Sequence, residues 1–268
     1  MVKLRNKNYK SYKYREAFKI SSFFQYRVDT AAPGSGFPLY GHVHILFLAG
    51  IVIGIVILTF LYYYAADKAR LRILRATAAI IFLSEAVRQA SFLILLPSYP
   101  ISQLPLQLCG LSIFIEIIHA ARPNKTTGEI LYALCLPGAV AALTFPDWTM
   151  NPILSYQAIQ SFAVHGLHAA FVVMPLAASD IRPGCRNLWR PALFLAVIVP
   201  PLYFLNKLWN TNFFFVNAGS VGSPLDFLIA RMGNPGFLIG YTGILVVVWI
   251  IMYLPFVFIN KRRRRYWF

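Results

Sequence analysis

Seven stretches of this chain are each long and apolar enough to cross a bilayer, which needs about 20 mostly apolar residues per helical span. They fall near residues 43–64, 73–96, 104–121, 129–145, 156–178, 191–209 and 237–260. Hydrocarbon offers the backbone no hydrogen-bond partners, so a span must satisfy its own N–H and C=O groups. The expected fold is therefore all-α, a polytopic membrane helix bundle of about seven transmembrane helices. The fourth stretch is the shortest, and Pro137-Gly138 interrupts it. Residues 42–260 form the expected seven-helix domain, between a basic N-terminal tail, 1–41, and a basic tail, 261–268. The N-terminal tail is expected to be disordered or to lie at the interface, with residues 14–26 able to form an amphipathic helix on anionic lipid. No apolar core follows closely enough for a cleavable signal peptide, and residues 32–36 read as a linker.

The net charge of +16 suggests nucleic acid at first sight, but the basic residues sit in short runs beside the apolar segments. That is the pattern of cytoplasmic loops, not of a groove-tracking stripe on a soluble fold. Fourteen Lys and Arg lie in loops 65–72, 122–128 and 179–190, at the start of the second stretch (Arg75), and after the seventh. The loops of the other side hold only Lys207 and Arg231. This asymmetry predicts a cytoplasmic (inner) membrane protein with its C-terminus in the cytoplasm. The N-terminal tail, with eight Lys and Arg of its own, opposes the rule. The three cysteines, Cys109, Cys135 and Cys185, fall in or near different spans and do not suggest a disulfide framework.

With that topology, polar residues from five spans gather near the outer face. They are His44 in the first; Glu85, Arg88 and Gln89 in the second; Gln107 and Cys109 in the third; His165 in the fifth; and Asn206, Asn210 and Asn212 at the end of the sixth. Polar groups in a membrane ask for a reason. Each taken alone reads as packing: Cys109 as a small hydrophobe, His165 and His168 as hydrogen-bonded imidazoles, Glu85 and Arg88 as a self-neutralising pair. Together they suggest a site. One chemistry makes Cys109 a nucleophile activated by His165, since the thiolate is the reactive form and a neighbouring imidazole supplies the base. Another has His44, His165, His168 and Cys109 bind zinc, but no paired-ligand spacing is present, so no metal and no cofactor is expected. The Asn210-Thr211-Asn212 amides could donate to an oxyanion or a headgroup; the following Phe213-Phe214-Phe215 reads equally as an interfacial aromatic belt.

Leu104-Pro105-Leu106-Gln107-Leu108-Cys109, Val164-His165-Gly166 and Trp209-Asn210-Thr211-Asn212-Phe213 resemble the YwaF-like family of bacterial integral membrane proteins. Gly41-His42-Val43-His44, Phe145-Pro146-Asp147 and Leu225-Asp226 add to the resemblance. That family is related to the transmembrane protein 164 acyltransferases and, more distantly, to the androgen-induced-gene membrane hydrolases. The resemblance implies an enzyme that moves acyl chains between lipids with Cys109 and His165 as its catalytic pair. Family members commonly have His where this chain has Gln107. The implied reaction is attack of Cys109 on a lipid acyl ester in the outer half of the bilayer, with His165 as base. Gln107, Asn210 and Asn212 are then oxyanion or headgroup donors, and His44, Glu85 and Arg88 line the site. Glu85 and Asp147 are the acidic residues available to orient His165. The expected partners are membrane phospholipids or lysolipids. The other class of function is a transporter or small-molecule binding membrane protein with the same polar cluster as its pocket.

Overall fold

In the computed structural model each expected span is helical, and seven helices among the described residues are long and apolar enough to cross a membrane. The structure describes Phe23 and residues 36–96, 98–220 and 222–265, with side chains as far as Val257. The expected amphipathic helix at 14–26 and nearly all of the linker lie outside these residues, as does the end of the C-terminal tail. The spanning helices are α1 (His42–Tyr63), α2 (Asp67–Leu95), α3 (Leu108–Ala121), α4 (Lys125–Thr144), α5 (Tyr156–Ala177), α6 (Trp189–Trp209) and α7 (Phe237–Arg265). A short helix, Pro224–Met232, precedes α7, and no strand occurs among the described residues.

Burial sorts the helices into an inner pair and an outer ring. Helix α5 packs against α1, α2, α3 and α4, and α4 and α5 are the most buried of the seven. Helices α1, α2, α6 and α7 carry most of the exposed large apolar residues, among them Leu46, Ile94, Phe204 and Ile239. Such exposure suits a face covered by lipid tails. Close approach is local: Gly166 in α5 leaves room for Ile51 of α1, whose Cγ2 lies 3.0 Å from where a Cβ would stand.

Two helix starts follow directly from the sequence. The Asn124 side chain accepts from Thr127 N at 3.0 Å to cap α4, and Ser155 Oγ accepts from Ala158 N at 3.3 Å to cap α5. The third span differs from expectation at its start. Helix α3 begins at Leu108 instead of residue 104, because Pro105 drives Leu104 to an extended backbone (ψ 143°). Residues 101–103 form a separate 3-10 turn.

The fourth span is continuous despite Pro137. It runs from Lys125 to Thr144 through a π-helical turn, Leu131–Cys135. Proline supplies no N–H and crowds the preceding turn, and a π turn just before it widens the helix where the α ladder would break. The last helix continues to Arg265, so residues 261–265 extend α7.

Candidate functional site

Starting α3 at Leu108 puts Cys109 in its first turn, among N–H groups that have no intrahelical acceptor. Gly110 follows because a Cβ there would collide with the Pro105 carbonyl. Cys109 is partly buried. The carboxylates of Asp147, Glu116 and Glu85 lie within electrostatic range of it.

Several expected site residues are occupied in holding the bundle. His44 is fully buried; its Nδ1 accepts from Tyr40 N at 3.1 Å, so Nε2 carries the proton and donates to the Leu143 carbonyl at 2.8 Å. Both ends of the Gln107 amide clamp the loop after α6. Oε1 accepts from Phe214 N at 2.8 Å and Nε2 donates to the Asn212 carbonyl at 3.1 Å. Asn212 in turn ties its own loop, with Oδ1 accepting from Asn217 N and Ala218 N, and Nδ2 donating to the Ala218 and Gly219 carbonyls. Asn206 is fully buried and grips the same loop through Phe213 and Thr211. Asn210 is left-handed (φ 50°) at the end of α6 and exposed, and its side chain makes no hydrogen bond. Phe213 and Phe214 are buried against Leu202 and Val216, so most of the expected aromatic belt is core.

Glu85 and Arg88 form a two-pronged ion pair at 2.7 and 2.8 Å, with Gln103 Oε1 accepting from Arg88 Nη1 at 2.8 Å. The pair neutralises itself, as the plainer reading of its spacing has it.

His165 is not hydrogen-bonded to Cys109. Its Nδ1–H donates to the Ser161 carbonyl at 2.6 Å, one turn earlier in α5. The ring stacks on Trp148, with centroids 5.0 Å apart and planes 19° from parallel. A backbone carbonyl thus holds Nδ1 of this imidazole. Its Nε2 is left unbonded.

One turn deeper in α5 lies a pair the sequence reading did not identify. His168 Nδ1 and Glu116 Oε1 are 2.8 Å apart, at 1% and 0% side-chain exposure. Glu116 Oε2 and His168 Nε2 are buried with no hydrogen-bond partner. The His168 and His165 rings meet edge to face at 6.1 Å. Glu116 belongs to a stripe on one face of α3, Cys109-Ser112-Glu116-His119, at helical spacing. Ser112 Oγ lies 2.8 Å from Cys135 Sγ on α4, and His119 Nδ1 lies 2.7 Å from Thr127 Oγ1. That stripe was the available signal, four polar residues at i, i+3, i+7 and i+10 in an otherwise apolar span.

The Glu116–His168 contact also sets the level of α3 against α5. Counting back along two parallel helices, Cys109 stands about 6 Å, one turn, above His165. Trp148, His165, His168 and Glu116 thus form one column through two ring contacts and a hydrogen bond, and Cys109 lies two turns above Glu116 on the same face of α3. Among the described residues, no group of three or more His, Cys, Asp or Glu is placed to hold a metal ion.

A family model described as the TMEM164 family matches residues 39–253, which takes in the whole column. No curated protein and no solved structure matches the chain.

Proposed function

The chain belongs to the TMEM164 family, and on that footing we propose that it is a lipid acyltransferase or acyl hydrolase of the cytoplasmic membrane. Cys109 attacks the acyl ester of a phospholipid, the C–O bond breaks, and the acyl chain is held as a thioester. The thiol proton passes to His165 Nε2, which is free because Ser161 holds Nδ1–H. The lysolipid leaves as an alcohol, its oxygen taking that proton from His165 Nε2, and a second lysolipid or water receives the acyl group.

The observations that support this reading are a partly buried cysteine in the first turn of α3 and an imidazole on α5 whose Nδ1 is held by the Ser161 carbonyl. Helix N-termini favour negative charge, and the first-turn N–H groups are the natural donors to the oxyanion. Gln107 and Asn212 serve the site by fixing the turn beside it. The missing thiol–imidazole contact is closed on substrate binding, since catalytic hydrogen bonds are often long in an empty site. The scarcity of Lys and Arg in one set of loops, Lys207 and Arg231 alone, supports a site in the outer half of the bilayer and a cytoplasmic C-terminus.

The test is a comparison of lipid profiles in cells lacking the protein, complemented with wild type or with Cys109→Ala. Restoration by wild type alone supports the thioester. Restoration by both sinks it, and a binding or transport role for the polar column then becomes the better reading.

A further inference from the structure

Five buried side-chain polar atoms have no hydrogen-bond partner among the described residues, and three of them belong to one column: Trp148 Nε1, His168 Nε2 and Glu116 Oε2. The other two, Thr59 Oγ1 and Arg190 Nε, lie elsewhere. Buried polar groups are paired almost without exception, and an unpaired one costs about 1–3 kcal/mol. Glu116 and His168 already satisfy each other once, so the remaining atom on each calls for a group from outside the polypeptide.

The chemistry of that group follows from the tautomer. Where Nδ1–H donates to the Glu116 carboxylate, His168 Nε2 and Glu116 Oε2 are both left as acceptors. A group seated here must donate. An isolated cation is excluded by the position, deep between apolar helices, which leaves a neutral O–H. Trp148 Nε1–H, on the ring stacked against His165, is a buried unpaired donor and suits a carbonyl. We infer that Glu116 and His168 form a buried binding site for a hydroxyl group, either water or the free alcohol of a lysolipid. In the acyl transfer proposed above, on which this assignment of the ligand's role rests, it is the acceptor subsite. Because His168 lies about 10 Å below Cys109 by the same helical count, the hydroxyl is held there before it moves up to the thioester carbon. As its oxygen bonds that carbon the O–H proton passes to His165 Nε2, the C–S bond breaks, and the proton goes on to the Cys109 sulfur.

The arrangement is that of a carboxylate holding one imidazole nitrogen so that the other faces the reacting hydroxyl. Glu116 is thus a positioning residue for His168. The upper ring, His165, serves the thiol, and the lower ring, His168, holds the acceptor.

The experiment uses the full chain in lipid nanodiscs with ¹⁵N-labelled histidine, its five imidazoles assigned by single His→Gln variants. The probes are lysophosphatidylcholine and an analogue lacking its free glycerol hydroxyl. An alcohol site is shown by a His168 Nε2 resonance that moves with the lysolipid and not with the analogue. A water site is shown by an Nε2 resonance already hydrogen-bonded without lysolipid and exchanging with solvent. Glu116→Gln should abolish either response; if that variant does not fold, the wild-type spectra decide alone. An Nε2 resonance that is free of hydrogen bonding and indifferent to both lipids overturns the inference, as does an equal response to the analogue. The two proposals fail separately. Cys109→Ala should leave the His168 response intact, whereas turnover that survives Cys109→Ala sinks the thioester and leaves this site standing.

Discussion

Trp249 Nε1 on α7 donates to the Ala133 carbonyl on α4 across 2.8 Å. Ala133 stands four residues before Pro137, which has no N–H to return to it. An indole from a neighbouring helix therefore takes the place of a backbone donor that the sequence deleted. Trp249→Phe keeps the ring and removes the donor. It should lower stability by about 1–3 kcal/mol, read as a fall in the thermal midpoint of the purified protein. An unchanged midpoint would mean that the carbonyl finds another partner.

The buried Glu116–His168 pair makes a signed prediction. Removing one partner leaves the other unpaired at essentially zero exposure, so His168→Ala should destabilise by about 3–5 kcal/mol. Replacing both with Leu should recover most of that loss while abolishing function. A double variant no more stable than the single one would show that packing, and not the orphaned carboxylate, dominates.

Cysteine reactivity separates the three thiols by environment. Cys135 is buried against Ser112, Cys185 is exposed, and Cys109 is between. An apolar, lipid-like electrophile should label Cys109 ahead of Cys135, and a water-soluble reagent should find Cys185 first. His165→Ala should weaken the labelling of Cys109 alone. Equal apolar labelling of Cys109 and Cys135, read by mass spectrometry of the peptides, would reduce Cys109 to ordinary packing.

Topology is open to reporter fusions. A reporter after Phe268 should be cytoplasmic and one in the loop 147–151 external. The opposite result for both would invert the bundle and move the column to the inner leaflet.

Gln107 is placed to hold a loop, so its loss should act on structure before chemistry. Gln107→Ala removes two hydrogen bonds to the loop after α6 and should cost about 1–3 kcal/mol. It should also raise proteolysis within residues 210–222. Loss of activity at full stability would instead make this amide part of the chemistry.

The seven spans were legible because hydrocarbon admits few alternatives: length and apolar content suffice. The continuity of the fourth was less so, since it depends on a donor from Trp249 more than a hundred residues away in sequence. Among the candidate site residues, Cys109 and His165 were legible as members of the third and fifth spans. Their mutual register was not legible, because it hangs on Glu116 meeting His168. Glu116 escaped notice as a single acid inside an apolar run, visible only when Cys109, Ser112 and His119 are read as one helical face. Gln107, Asn212 and His44 were legible as polar residues near the site. That their hydrogen bonds are closed by loops and carbonyls is a property of the folded chain alone.

The π turn at Leu131–Cys135 is equivalent to an α-helix with one residue inserted. The wider turn absorbs that residue, which in an unbroken α-helix would swing everything beyond it by about 100°. Residues 136–144 therefore face as they would with one residue fewer in the turn. A single-codon deletion within this turn should close it to a plain α-helical turn and leave the interior face of α4 in place, whereas the same deletion elsewhere in α4 would rotate the segment beyond it towards lipid.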